Sequence, residues 1–192
     1  LIVTRNLPPL VGGMEKLNWH MANELTRYAD VTIIGPPEAA TSMPHEAGFQ
    51  RVPLRPLWWF LLAATWKAIR ISRKIKADVV LAGSGLTAPA ALIASRISGG
   101  KSMVYVHGLD VAVRHPLYRA LWHPCIRLID GVIANSAPTR SLCLQLGIDA
   151  ADISIVHPGV TLPADYREYE QAVVRFKQEH GLVGKKILLS VG

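Results

Sequence analysis

Polar residues able to do chemistry recur in this chain directly after short apolar runs. Leu1-Ile2-Val3-Thr4 leads into Arg5-Asn6-Leu7-Pro8-Pro9-Leu10-Val11 and then into Gly12-Gly13-Met14-Glu15. A double glycine lets the main chain approach a ligand closely. The free N–H groups of a helix that starts there favour an anion. Gly12 and Gly13 are therefore candidate phosphate-facing residues, the competing reading being a hinge before an ordinary helix. They do not fit G-x-G-x-x-G, and no Gly-Lys-Ser/Thr follows them. Val106 leads into His107-Gly108-Leu109-Asp110, which sets an imidazole and a carboxylate three residues apart. Asp110 could orient His107 or cap the following turn. Ala134 leads into Asn135-Ser136, where Ser136 ahead of Ala137-Pro138 has the signature of a helix cap more than of a ligand contact. Arg140, one turn further on, points into a cleft or into solvent. Gly83-Ser84-Gly85 and His157-Pro158-Gly159 close two more apolar runs.

Strands and helices alternate in a way that gathers these segments. Strands are expected at 1–4, 31–34, 79–82, 103–106, 131–134, 153–156 and 187–192, with a short edge strand at 49–53. Helices are expected at 14–28, 58–76, 87–97, 116–128, 137–146 and 166–180, with loop at 38–45. The first helix is read with Met14, Leu17, Met21, Leu25 and Tyr28 on its apolar face, and with Glu15 in its first turn, where negative charge is favoured. The order predicts an α/β fold: a doubly wound, mainly parallel Rossmann-like sheet with helices on both faces. Such sheets bind ligands beyond the carboxyl ends of their strands. All the polar segments above fall on that edge.

Composition narrows the partners. The chain has 192 residues, half of them apolar, and a net charge of +7. That is enough for one real core, and the charge selects anionic partners. Two cysteines without a C-x-x-C pair predict reduced thiols in a cytoplasmic protein. His107, His115 and His123 recur every eight residues, a spacing unlike that of zinc ligands, so no metal is expected. G-x-S-x-G is missing, and no triad can be read. No nucleic-acid-binding module is present. Trp58-Trp59-Phe60-Leu61-Leu62, then Trp66, Lys67, Arg70, Arg73, Lys74 and Lys76, fit an amphipathic helix on an anionic membrane surface. They equally fit a helix packed on the sheet with a solvated basic end. An oxidoreductase-type dinucleotide domain is disfavoured, because Gly35-Pro36-Pro37 stands where an acidic residue would end strand two.

Taken together, these segments resemble family 4 retaining glycosyltransferases. The resemblance lies in Pro8-Pro9-x-x-Gly12-Gly13-x-Glu15, in Ala77-Asp78-Val79-Val80 and in Tyr105-Val106-His107-Gly108-Leu109-Asp110. It continues through Asp130-Gly131-Val132-Ile133-Ala134-Asn135-Ser136, Ile153 to Val160 and Ser190-Val191-Gly192. It implies one half of a GT-B fold, the acceptor-side domain, over residues 1–162. Residues 163–192 would then be the linker, helix and first strand of a second, donor-binding domain. The family's E-x7-E pair falls outside these residues, and so the fragment alone is expected to fold without transferring sugar. The chain opens on a strand without an initiator Met, and leading residues are expected to be missing.

The resemblance further implies transfer with retention from a nucleotide-diphosphate sugar to a saccharide or lipid-linked acceptor, in glycan or cell-envelope biosynthesis. No other cofactor is implied. Same-face attack would be assisted by the leaving phosphate. His107 and Asp110 would be catalytic, Gly12 and Gly13 would face the donor phosphate, and Glu15, Asn135, Ser136 and Arg140 would contact substrate. The alternatives are a stand-alone nucleotide- or dinucleotide-binding module and a non-catalytic binding module.

Overall fold

The computed structural model describes residues 1–159 and 166–188. The chain divides into two compact units, Leu1–Pro158 and Gly159–Gly192. The first is built on seven strands: β1 (Ile2–Val3), β2 (Thr32–Gly35), β3 (Gly48–Arg51), β4 (Val79–Ala82), β5 (Lys101–Val106), β6 (Gly131–Ala134) and β7 (Ile153–Ile155). They lie in the order β3-β2-β1-β4-β5-β6-β7, and every pairing is parallel. The expected β4 and β6 coincide with the observed strands, and β3 lies at the sheet edge.

Chain order runs outward in one direction from β1 to β3 and in the other from β4 to β7. Right-handed crossovers then place helices on opposite faces of the two halves. One face carries α1 (Gly13–Leu25). The other carries α2 (Leu57–Ile75), α3 (Ala88–Ser98), the short α4 (Leu109–Ala112), α5 (Pro116–Arg127) and α6 (Ala137–Gln145). Strand side chains alternate accordingly. Val3, Ile34, Val80, Ala82, Val104, Val106, Val132 and Ala134 join the larger core, whereas Ile2, Ile33 and Leu81 join the core under α1.

The larger core is sealed by Phe60, Ala64 and Ala68 of α2 and by Ala90, Ala91 and Ala94 of α3. These small residues let the two helices pack closely, and the Ser72 hydroxyl donates to the Ala94 carbonyl across the seam at 3.2 Å. Full burial of Phe60 contributes on the order of 2–3 kcal/mol. At the amino ends of β5 and β6, Asp130 accepts from the Ser102 hydroxyl at 2.5 Å and from the Ser102 N–H at 2.8 Å. Ser102 Oγ accepts from the Asp130 N–H in return.

Three sequence expectations need correction. Met14 and Tyr28 of the proposed apolar face of α1 are exposed, and the residues that α1 buries are Glu15, Asn18 and Ala22. The ground it covers is partly polar, because Thr4 and Asn6 lie beneath it. Leu17, Met21 and Leu25 flank that contact half-buried. Within the expected loop at 38–45, Pro37–Thr41 winds into a 3-10 turn that starts on proline. The loop after β5 contains α4, which periodicity over four residues cannot reveal.

In the second unit, α7 (Tyr166–Glu179) occupies the expected helical span. Of the strand expected at 187–192, Ile187 and Leu188 are not in a strand and the remainder lies outside the described residues. The expected linker at 160–165 also lies outside them.

Candidate functional site

The direction of winding reverses between β1 and β4, and at such a switch the connecting loops diverge and leave a crevice over the strand ends. Thr4 follows Val3, which pairs with Ala82; Gly83 follows Ala82. The two are thus in register, one residue past the end of each strand. Asn135 and His107 follow the paired Ala134 and Val106 in the same way. Parallel register alone brings four of the polar segments to one edge.

Asn18 joins β1 to α1. Its Nδ2 donates to the Asn6 carbonyl and to Thr4 Oγ1, both at 3.2 Å. A carbonyl can only accept, so the amide orientation is set and Oδ1 is turned the other way. Asn18 and Thr4 are completely buried, and Asn18 Oδ1 has no partner among the described residues. Gly83 lies against this pair. A methyl group there would sit 2.6 Å from Thr4 Cβ and 2.9 Å from Asn18 Oδ1. Gly85 is similarly confined: its methyl group would sit 2.7 Å from Asp110 Cβ and 3.0 Å from the Tyr118 hydroxyl. The Gly83-Ser84-Gly85 turn is glycine-rich because β1, α1, α4 and α5 converge on it.

His107 is half-buried at the end of β5. Its Nε2 lies 3.1 Å from the Gly83 carbonyl. The carbonyl accepts, so Nε2 carries the proton and a neutral ring keeps its lone pair on Nδ1. Tyr105 flanks the imidazole, with ring centroids 4.9 Å apart. The Tyr105 hydroxyl donates to the Val156 carbonyl at 2.7 Å and ties this strand to the segment before His157; burial pushes its pKa up. Asp110 accepts from the His107 backbone N–H at 3.1 Å. The carboxylate thus caps the turn, and it is the Gly83 carbonyl that orients the ring. Tyr118 stands beside Asp110, stacks on Trp122 and leaves its hydroxyl without a partner among the described residues. Burial first, and then the Asp110 charge, push the Tyr118 pKa up, so the hydroxyl stays a donor.

At the start of α1, Glu15 is buried and accepts from Asn6 Nδ2 at 2.8 Å. Its carboxylate lies against Gly12, at the positive end of its own helix. Beside Gly13 nothing lies within 4 Å of where a side chain would begin. The two glycines therefore differ: Gly12 is backed by a carboxylate, and Gly13 faces open space. At the end of β6, Asn135 Oδ1 accepts from Thr139 Oγ1 at 2.6 Å and from Ser136 Oγ at 3.2 Å. Ser136 caps α6, accepting from the Thr139 N–H at 3.3 Å. Asn135 and Ser136 are thus partners of each other, and Arg140 is half-exposed in the first turn of α6.

The structure brings His107, Asp110, Asn135 and Ser136 onto the same sheet edge as Gly12 and Gly13. It adds Thr4, Asn18 and Tyr118, which sequence reasoning missed. Two polar residues, Glu15 and Asn18, at an inward spacing with Ala22 were the available signal. His107, His115 and His123 do not form a cluster, and among the described residues no group of three or more metal-ligating side chains is assembled.

A Rossmann-like domain with its ligand edge at the β1/β4 switch is the class these observations define. The chain belongs to Glycosyltransferase Family 4, whose sequence profile matches residues 11–162. The architecture is that of the amino-terminal half of a GT-B fold. Solved structures of similar fold include Alr3699/HepE from Anabaena in complex with UDP-glucose, with a TM-score of 0.66 at 17% identity over 95% of this chain and 50% of that one. The lipopolysaccharide outer core galactosyltransferase WaaB gives 0.63 at 15% identity, over 85% of this chain and 46% of that one. UDP-N-acetylglucosamine 2-epimerase from Rickettsia bellii gives 0.61 at 12% identity, over 93% and 47%. At these identities the likeness is one of fold. The chain spans about half the length of these structures. No curated protein matches it in sequence.

Proposed function

We propose that this chain supplies the acceptor-side half of an enzyme that moves a hexosyl group, with retention, from a nucleoside-diphosphate sugar to a saccharide or lipid-linked hydroxyl. The carrying observation is the Gly83-held imidazole of His107 on the same sheet edge as the open Gly13 turn. On that edge a polarisable ring and a run of helix-start N–H groups would face the crevice that such a switch in strand order leaves. Departure of a nucleoside diphosphate separates charge, and preorganised donors lower that barrier. The N–H groups at Gly13 and beyond would face the donor phosphate, with Glu15 holding the turn through Asn6. His107 would contact the sugar as positive charge builds at its reacting carbon, and its Nδ1 lone pair suits that role. Asp110 would act through the turn that carries His107. Asn135, Ser136 and Arg140 would border the acceptor.

Alr3699/HepE was solved with UDP and with UDP-glucose, which supports a nucleotide sugar as the donor class here. A second domain would complete the donor site, and without it proximity is lost, so residues 1–192 alone would not turn over. The test is transfer by the full-length enzyme across a panel of nucleotide sugars, with the anomeric configuration of the product read by NMR. Retained configuration, abolished by removing the facing domain, supports the reading. Inverted product, or binding of nucleotide without transfer to any acceptor, overturns it and favours a nucleotide-binding module.

A further inference from the structure

α2 is apolar on two opposite faces. Inward, Phe60, Ala64, Ala68 and Ser72 are buried. Outward, Trp59, Leu62 and Trp66 follow at helical spacing and are 48%, 61% and 58% exposed. Trp58 stands beside them, 61% exposed. A helix that only covers a sheet needs one apolar face. Isolated exposed apolar residues are ordinary; a continuous stripe of large ones marks an interaction surface.

The stripe changes character along the helix. Beyond Trp66 it continues into Arg70 and Arg73, with Lys67 and Lys74 alongside, and α2 contains no Asp or Glu. The Arg70 guanidinium lies 5.5 Å from the centre of the Trp66 ring. Aromatic and cationic groups are thus contiguous on one outward line.

Length places the aromatic end. Nineteen helical residues span about 28 Å, whereas the four residues of β4 rise about 13 Å. Only residues 76–78 separate the end of α2 from the start of β4. The amino-terminal turns of α2 must therefore stand past the carboxyl edge of the sheet, the edge that carries His107 and Gly13. Lys67 marks the level: its Nζ donates to the carbonyl of Arg51, the last residue of β3, at 2.6 Å.

We propose that the outward face of α2 docks this protein onto an anionic lipid bilayer. Trp59, Leu62 and Trp66 enter the boundary between headgroups and acyl chains, where indole rings are favoured. Arg70, Arg73 and Lys74 meet lipid phosphates, and the net charge of +7 adds long-range attraction. Among the described residues no helix is long and apolar enough to cross a membrane, which matches a helix that lies on the surface. Docking in this way sets the carboxyl edge of the sheet close to the bilayer. The docking stands independently of the sugar-transfer reading.

The test is cosedimentation of the full chain with vesicles of phosphatidylcholine and phosphatidylglycerol at 7:3, and with phosphatidylcholine alone. Binding to the anionic vesicles, a blue shift in tryptophan emission, and a severalfold loss of binding in high salt are expected. The double variant Trp59→Ser/Trp66→Ser should lose binding at least tenfold with its circular dichroism unchanged, because both rings point away from the core. Arg70→Gln/Arg73→Gln should lose the preference for anionic lipid. Tyr28→Ser, which alters an exposed aromatic outside α2, should bind as the parent does. Absent binding to anionic vesicles, or equal binding by the Trp59/Trp66 variant, overturns the proposal. So does a concentration-dependent dimer, without vesicle binding, that this variant abolishes; the face would then join two copies.

Discussion

His107 and Gly83 are joined across adjacent strands by a 3.1 Å hydrogen bond from imidazole Nε2–H to a main-chain carbonyl. The carbonyl cannot move without moving β4, and β4 is locked to β1. The ring's direction is therefore set by the sheet and not by a mobile side chain. Such preorganisation is what a group meeting developing charge requires.

Replacing the ring tests that role. In the full-length enzyme, His107→Ala should lower kcat about 100-fold or more with little change in Tm. His107→Gln can still donate to the Gly83 carbonyl and should keep its loop in place while losing the imidazole. Steady-state kinetics and thermal unfolding on both variants separate chemistry from folding. Unchanged kcat in His107→Ala would remove the residue from the mechanism.

The glycines offer a built-in contrast. Gly83→Ala must push against Thr4 and Asn18 and should cost roughly 1–3 kcal/mol in urea unfolding. Gly13→Ala meets nothing within 4 Å, and its stability should stay within about 0.5 kcal/mol of the parent. If the donor phosphate approaches that turn, Gly13→Ala should nevertheless raise the donor KM. A variant with both stability and KM unchanged would take the phosphate away from this turn.

Asn18 is the buried hinge of the site. Asn18→Asp places a carboxylate oxygen opposite the Asn6 carbonyl and buries a charge without a partner. A loss of about 3 kcal/mol or more is expected, read from urea denaturation. Asn18→Leu, which leaves the Asn6 carbonyl unpaired, should cost about 1–3 kcal/mol. A neutral outcome for both would show that the amide carries no structural load.

The Asp130–Ser102 pair gives a pH signature. Two hydrogen bonds from Ser102, first the hydroxyl and then the N–H, with weaker help from Arg96 and Lys101, hold the Asp130 carboxyl below its ordinary range. A folded pKa below the unfolded one contributes stability above the unfolded value, about 3.9, and that contribution disappears as pH falls through the folded value. Asp130→Asn should cost about 2 kcal/mol at pH 7. The gap from the parent should begin to narrow as pH falls below about 4. Urea midpoints for both proteins from pH 3 to 7 provide the measurement, and a gap independent of pH would remove the carboxylate from the account.

Much of the architecture was legible because its cues are local. Short, continuously apolar runs bounded by turn residues, such as Val79–Ala82 and Gly131–Ala134, read as strands buried on both faces, and Ser136-Ala137-Pro138 declares a capped helix start. Strands alternating with helices then imply a parallel sheet and a ligand edge. The inward face of α1 was not legible, because its apolar spacing pointed to Leu17 and Met21 while a polar floor of Thr4 and Asn6 drew Glu15 and Asn18 inside. α4 escaped for a different reason: four residues hold barely one helical turn of pattern.

By itself, the sequence determined the alternation of elements, the parallel sheet and the set of loops that share an edge, since each follows from hydrophobic period and turn residues along the chain. Only the tertiary structure decided which of those loops meet. Register between β1 and β4 sets Thr4 beside Gly83, and the order of strands lets Gly83 hold His107 and Gly85 face Asp110 and Tyr118. The longest of these contacts joins residues 79 positions apart on the chain, Thr4 and Gly83. No spacing rule along the chain records them, because the sheet reorders the strands before it brings their ends together.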